Sequence, residues 1–278
     1  MRPIQIMISG LPGDVAAKVA AHALSDERFR VLDVSLTGPD ISDKTCRVGG
    51  AEFQLVGPKD REGAVAALMD REGAFMCVDY THPSAVNDNA EFYCRMGLPF
   101  IMGTTGGDRG LLEKKVTASL VPAVIAPNMA KQIVGFQAMM EYAAETFPGL
   151  FEGYSLSIRE SHQNGKADTS GTAKSMVGYF NRMGVAFSED EIVKIRDPHV
   201  QKNELNVPEA HLAGHGWHTY TLVSKDGAAR FEFSHNINGR DIYAQGTLDA
   251  AIFLQRMIDK GEKGRAFSMI EALKGAGS

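Results

Sequence analysis

The residues best equipped for chemistry sit in one short stretch, Arg159-Glu160-Ser161-His162-Gln163-Asn164-Gly165-Lys166-Ala167-Asp168-Thr169-Ser170-Gly171-Thr172-Ala173. A strand ending at Glu160 hands over to a polar loop that carries His162 and Lys166, and Ser170-Gly171-Thr172 then opens a helix. The first amides of a helix have no partner inside it, so such a start is a ready site for an anion. An imidazole and an ammonium beside it suit the reduction of a substrate that bears carboxylates and a polarised C=N bond. The competing reading is an ordinary hydrophilic loop with a Ser/Thr cap.

A second group of residues lies at the other end of the chain. Ser9-Gly10-Leu11-Pro12-Gly13-Asp14-Val15-Ala16 joins an apolar strand to an Ala-rich helix. A dinucleotide-binding fold needs glycine at this place, so that the backbone can turn tightly and approach the pyrophosphate at the helix start. Gly10, Gly13 and Ala16 fit that spacing, although glycine at a strand–helix turn is also simply a turn. Asp33 and Asp40 flank the end of the second strand, where a carboxylate would take the ribose of NADH. Ser35 and Thr37 lie nearer its tip, and an uncharged tip tolerates the 2′-phosphate of NADPH better. Lys44 and Arg47 reach that place only if the following loop folds back.

The elements that must position these groups alternate. Strands are expected over 1–9, 30–35, 51–56, 75–79, 99–102 and 121–125, with helices over 15–25, 61–71 and 83–96. Strand alternating with helix implies a parallel sheet with right-handed crossovers, hence a Rossmann-like, doubly wound α/β domain. After Pro127 the texture changes. A long amphipathic helix over 130–146, a strand over 153–160 and a helix over 171–181 precede two strand-like runs, 219–224 and 229–235, around Lys225-Asp226-Gly227. Asp-Gly between such runs is a hairpin signal, so this part reads as an α+β domain with a mixed, open sheet. Helical patterns return over 247–260 and 266–273. The expected division is a dinucleotide-binding domain over 1–128 and 241–278 and a substrate-binding and oligomerisation domain over 129–240.

Composition excludes several classes. With 29 Lys+Arg against 34 Asp+Glu the net charge is −5, so the chain as a whole offers no basic surface for nucleic acid or anionic lipid. One tryptophan, Trp217, cannot build a stacking platform for bases. Three cysteines without CxxC spacing point to a reducing compartment. A strand-like segment begins almost at the N-terminus, leaving no room for a targeting peptide, so a cytoplasmic location is expected. His211, His215 and His218 have a spacing that zinc can use, but no acid or cysteine nearby completes the set, and no metal site is expected. The methionines Met139, Met140, Met176 and Met183 read as helix packing.

Glu-x-His…Lys-x-Asp…Ser-Gly-Thr-Ala over residues 160–173 resembles the signature of the 4-hydroxy-tetrahydrodipicolinate reductases. Asp79-Tyr80-Thr81-x-Pro83, Gly103-Thr104-Thr105-Gly106, Ala126-Pro127-Asn128-Met129 and the run from His235 to Arg240 resemble further motifs of that family in order and spacing, so the likeness spans nearly the whole chain. Asn128-Met129-Ala130-Lys131-Gln132 is closer to its plant-type branch. The resemblance implies reduction of a small dicarboxylate heterocycle with NADPH or NADH, in lysine and diaminopimelate biosynthesis. It implies a nicotinamide pocket of Thr81, Gly103, Thr105, Ala126 and Met129, beside Gly10, Gly13 and Thr37 on the rest of the cofactor. Lys166 is implied as the catalytic proton donor, with catalytic His162 orienting substrate. Ser170, Gly171 and Thr172 are implied on one substrate carboxylate, and Arg240 on the second. The hairpin leaves an open sheet edge, and the family buries this surface, so a homodimer or homotetramer is expected. The chain departs from the common pattern at Gln163, where a second histidine is usual, at Thr169, where Ala-Pro is shortened, and at Asp14, in place of a basic residue. Another two-domain NAD(P) oxidoreductase and a catalytically silent nucleotide sensor are the alternatives.

Overall fold

The chain opens with β1 (Ile4–Ser9) and α1 (Asp14–Leu24), followed by β2 (Phe29–Val31), β3 (Val34–Leu36), β4 (Thr45–Val48) and β5 (Ala51–Val56). Next come α2 (Arg61–Glu72), β6 (Met76–Asp79), α3 (Val86–Met96), β7 (Phe100–Met102), α4 (Arg109–Thr117) and β8 (Ala123–Ile125). The middle of the chain holds α5 (Lys131–Thr146), β9 (Ser155–His162), α6 (Gly171–Arg182), β10 (Val193–Ile195), α7 (Pro198–Asn203), β11 (His215–Val223) and β12 (Arg230–Asn238). It closes with α8 (Asp241–Asp259), β13 (Ala266–Phe267) and α9 (Met269–Gly275). This computed structural model describes residues 2–275. It divides into two compact units, Met1–Lys131 with Asp241–Ser278, and Gln132–Arg240.

The first unit is built on a six-stranded sheet in the order β13-β8-β7-β6-β1-β2. Every pairing in it is parallel. The middles of its central strands are apolar, as burial of both faces demands: Ile6, Met7, Ile8, Cys77, Val78, Phe100, Ile101 and Met102 are all fully buried. Strand order reverses at β1, the place where open α/β sheets bind ligands beyond the strand ends.

Two expectations need correction. The strand expected over 30–35 is two strands: Leu32 still donates to the Ile6 carbonyl at 2.9 Å, then the chain leaves β1, and β3 pairs parallel with β5 in a separate β3-β5-β4 sheet. The helix expected from Ala266 starts only at Met269. Ala266 and Phe267 pair with β8, because the Phe267 ring belongs in the core, edge-on to Phe253 at 5.2 Å.

The second unit carries a four-stranded sheet, β10-β9-β11-β12, mixed in direction as expected. The Asp226-Gly227 hairpin joins β11 to β12, with Gly227 at φ 74° and Asp226 accepting from the Ala228 amide at 3.1 Å. Ile158, Tyr220 and Leu222 on one face meet Met140, Ala173, Met176, Val177 and Phe180 from α5 and α6. Burying a ring such as Phe180 contributes about 2–3 kcal/mol. Register places Ile158 opposite Tyr220, Glu160 opposite His218, and His162 opposite Gly216. On the other side of β11, His218 stands opposite His235. The same face is thus apolar at one end and rich in ionisable rings at the other.

Candidate active site

In the first unit the residues expected to bind cofactor gather at the C-terminal ends of β1, β6, β7 and β8. Gly10 has φ 108°, and a Cβ there would run into the Tyr80 carbonyl. A Cβ on Gly13 would lie 2.8 Å from the Gly10 oxygen, so neither position admits a side chain. Gly13 caps α1 and Asp14 is exposed in its first turn. Ser35 and Thr37 hold this turn from below: the Ser35 hydroxyl accepts from the Leu11 amide at 3.2 Å, and Thr37 donates to the Leu11 carbonyl at 2.9 Å. Thr37 is therefore buried and fastened to the loop rather than presented at an open strand tip. Asp33, the carboxylate considered for the ribose, pairs with Arg71 of α2, and Arg47 pairs with Glu52 across β4 and β5 at 3.5 Å.

The adjoining turns are organised by one group the sequence reading assigned no role, the fully buried Asp79. Its carboxylate accepts from the Thr81 amide at 3.0 Å, Thr81 Oγ1 at 2.7 Å, Asn89 Nδ2 at 2.9 Å, Tyr93 Oη at 2.8 Å and Thr104 Oγ1 at 2.8 Å. A carboxyl group excluded from water needs such a set of partners. It fixes the Thr81 turn after β6 and the Gly103-Thr104 turn after β7 together. Gly103 is needed because a Cβ would collide with the Tyr80 ring. Thr104 turns inward to Asp79, whereas Thr105 is exposed. Ala126 and Met129 are buried, and Gly246 of α8 is pressed against the Met129 carbonyl.

In the second unit His162 is the last residue of β9, not a loop residue as expected, and its strand partner Gly216 makes room for it. A Cβ on Gly216 would stand 3.0 Å from His162 Cε1. The loop after β9 is held by a second pair the sequence reading missed. Glu160 is fully buried, accepts from the Ser170 amide at 2.9 Å and is bound by Arg196, which follows β10. Arg196 also donates to the Lys166 carbonyl at 2.7 Å and to the Asp168 carbonyl at 3.3 Å. One guanidinium thus clamps the loop at Lys166 and Asp168 while its carboxylate partner holds the start of α6, where Gly171 and Thr172 lie. Gln201 of α7 donates to the His162 carbonyl at 2.7 Å. The Lys166 ammonium pairs with Asp168 at 2.7 Å, and that contact holds the Asp168 carboxyl below its usual range. Arg240 is half-buried just beyond β12.

Four histidines surround this loop. His215 donates through Nδ1 to the His211 carbonyl at 3.1 Å, so its Nε2 accepts from the Ser161 hydroxyl at 2.8 Å. His162 Nε2 and His218 Nε2 are 3.0 Å apart, and burial pushes the two rings down to about 4 and about 2. His235, likewise lowered to about 4 by burial, follows across β12. His215 and His218 point to opposite faces of β11, so the zinc spacing noticed in the sequence does not converge. Glu160, His162 and His218 do bring ligand atoms within 4.8 Å of one another. Those atoms are engaged, the carboxylate by Arg196 and Ser170 and the two rings by each other.

Comparison with known proteins splits the chain once, near residue 130, and carries the C-terminal helices with the second half. Residues 4–129 match the family model described as dihydrodipicolinate reductase, N-terminus, and residues 133–273 match its C-terminus. The chain is 45% identical over 97% of its length to a probable 4-hydroxy-tetrahydrodipicolinate reductase 2, chloroplastic, of Oryza sativa subsp. japonica, covering 82% of that protein. It is 44% identical over 98% of its length to 4-hydroxy-tetrahydrodipicolinate reductase 2, chloroplastic, of Arabidopsis thaliana, covering 77% of it. A solved dipicolinate-bound dihydrodipicolinate reductase from Paenisporosarcina sp. TG-14 shares the fold, with a TM-score of 0.66 at 16% identity over 96% of this chain and 97% of that one. The cytoplasmic location expected from the sequence is overturned by the plant relatives, which are named as chloroplastic. Two matched halves covering nearly all of the chain, and plant relatives as similar as the residues at 128–132 implied, leave one conclusion: the chain belongs to the dihydrodipicolinate reductase family.

Proposed function

We propose that this protein reduces 4-hydroxy-tetrahydrodipicolinate to tetrahydrodipicolinate with NADPH or NADH, a step of diaminopimelate and lysine biosynthesis. The observation that carries the reading is the Glu160–Arg196 clamp, which holds the Lys166 loop and the start of α6 as one rigid piece. The glycine turn fits a dinucleotide, because Gly10 and Gly13 form a tight bare-backbone turn that no side chain could enter without striking the Tyr80 or Gly10 carbonyl. When bound, the nicotinamide supplies the hydride, and with the added proton the 4-hydroxyl is lost as water.

The chain's own residues bind, orient and protonate. Gly10 and Gly13 place the pyrophosphate at the start of α1, and Thr81, Gly103, Thr105, Ala126 and Met129 cradle the nicotinamide, with Thr37 fastening the glycine turn. Ser170, Gly171 and Thr172 take one substrate carboxylate at the start of α6, and Arg240 takes the other. Lys166, paired with Asp168, delivers the proton. His162 lines the same loop. Assembly into a dimer or tetramer is supported by β12, a nine-residue edge strand with Phe231 exposed on it.

The deciding experiment supplies the heterocycle from a dihydrodipicolinate synthase and follows NAD(P)H absorbance. Oxidation of either nucleotide that depends on the synthase product is the expected result. No change with either nucleotide at high protein concentration overturns the reading, and a monomeric mass across a tenfold dilution in light scattering overturns the assembly.

A further inference from the structure

Both ring nitrogens of His162 are engaged inside the second unit. Nδ1 lies 3.2 Å from the His215 carbonyl, which can only accept, so Nδ1 carries the hydrogen. Nε2 of the neutral ring is then an acceptor, and the group facing it at 3.0 Å, His218 Nε2, must be the donor. A neutral His218 protonated on Nε2 has a bare Nδ1, and the Tyr220 hydroxyl 3.0 Å away donates to it. The Tyr220 oxygen is left to accept from His235 Nε2 at 3.4 Å. His235 Nδ1 is then bare and buried, and it is one of the few buried side-chain atoms without a partner among the described residues. Hydrogen bonding therefore runs one way, from His235 through Tyr220 and His218 to His162 and on to the His215 carbonyl. The fixed acceptor at the end dictates every tautomer before it.

We propose that His218, set by Tyr220 and His235, is a positioning residue that occupies His162 Nε2 and keeps His162 a neutral imidazole, so that proton delivery falls to Lys166 alone. The role of Lys166 rests on the reductase reading; the states of the rings do not. In either protonation state the Nε2 axis of His162 points at His218, and its Nδ1–H points at the His215 carbonyl. No N–H of the ring is left to give to a bound molecule.

The surroundings act in the same direction. His162 faces the cations Arg196 and Lys166 against the single carboxylate Glu160, and Glu160 is itself bound by Arg196. His218 faces His235, His162, Arg196 and Lys166, and Phe136 of α5 lies edge-on to His235 at 6.0 Å. His215 is tied to Ser161, and Lys166 to Asp168. Burial is the largest cause of the lowered values at His162, His218 and His235.

The test uses the intact protein with 15N-labelled histidine and long-range 1H–15N spectra, assigning His162 by the signals lost in His162→Asn. At neutral pH the expected pattern is Nδ1–H at His162 and Nε2–H at His218, with His162 unprotonated to about pH 5. His218→Leu removes the donor, and the titration of His162 should rise by about one pH unit or more. His218→Gln restores an N–H donor and should return it most of the way, a rescue that a purely structural role for His218 would not produce. An Nε2–H or doubly protonated His162 at neutral pH in the unaltered protein overturns the proposal. So does an unshifted titration in a folded His218→Leu protein. These spectra need no turnover, so absence of reductase activity sinks the functional reading and leaves this result standing.

Discussion

Asp79 in the first unit and the His162–His218–Tyr220–His235 row in the second are both buried polar centres, but they work by opposite physics. Asp79 is an acceptor in every direction. Its donors have no choice of polarity, and one charge locks two backbone turns. The histidine row carries no charge at neutral pH, and each member can give or take a hydrogen. Its order is imposed from one end, by a carbonyl that cannot change. A fixed charge suits a cradle that must keep its shape. A directed neutral row suits a place where stray protons must be kept off one ring.

The largest effect that would sharpen this contrast is at Lys166, the group proposed to move a proton. Lys166→Ala should cut kcat by roughly 10²–10⁴-fold, the usual contribution of general acid catalysis. Lys166→Met, which keeps most of the stem, should do nearly as much damage. A rise in KM with kcat intact would make Lys166 a carboxylate anchor instead.

Next in size is the fixed charge. Asp79→Asn replaces one accepting oxygen by an amide nitrogen, a donor facing donors. The change should cost about 3 kcal/mol in denaturant unfolding and raise KM for the nucleotide more than for the heterocycle. A loss under about 1 kcal/mol would make the Asp79 hub incidental.

Acid should separate the two centres as well. His162, His218 and His235 have folded values below that of a free imidazole, so between about pH 6.5 and pH 4 the unfolded chain binds more protons than the folded one. Stability should therefore fall as pH drops through that window, by at most about 1.4 kcal/mol per pH unit for the buried His218 and by less for the partly exposed His162 and His235. His218→Gln should flatten the slope of Tm against pH. An equal slope in that variant would place the acid sensitivity elsewhere.

The smallest effect is steric. Gly216→Ala would put a methyl 3.0 Å from His162 Cε1 and shift the ring by a few tenths of an ångström. It should cost about 1 kcal/mol, near fivefold in kcat/KM. Unchanged kinetics would show that the ring has slack.

Much of this was legible in the residues themselves. The strand expected over 51–56 is β5, the helix over 61–71 is α2 but for one residue, and the Asp226-Gly227 hairpin stands where its turn chemistry put it. Local pattern suffices where one face is continuously apolar or one turn needs one residue type. Arg196 was missed because β10 is only three residues long and its partner Glu160 lies 36 positions away. A usable signal existed: a glutamate inside a strand calls for a buried cation, and Asp197-Pro198 marks a helix start just after Arg196. The row of rings was invisible for a different reason. His162, His218 and His235 meet only through the register of three strands, and a slip of one residue would send each to the other face. Tyr220 gave no sign of a polar role, since its position reads as core. Ala266-Phe267 read as helix because two residues cannot show a period.

The fastening of Leu11 by Ser35 and Thr37 has a consequence for anyone redesigning cofactor choice. The usual recipe exchanges the residues at the tip of the second strand for an acid or a cation. Here those two hydroxyls are the bolts of the glycine turn, so the recipe would loosen the very loop it means to retune. Selectivity would have to be engineered from the outside, at Gly38–Asp40 or on the β4–β5 ribbon with Lys44 and Arg47. Natural drift between the two nucleotides faces the same restriction, and its substitutions should accumulate on that ribbon while Ser35 and Thr37 stay put.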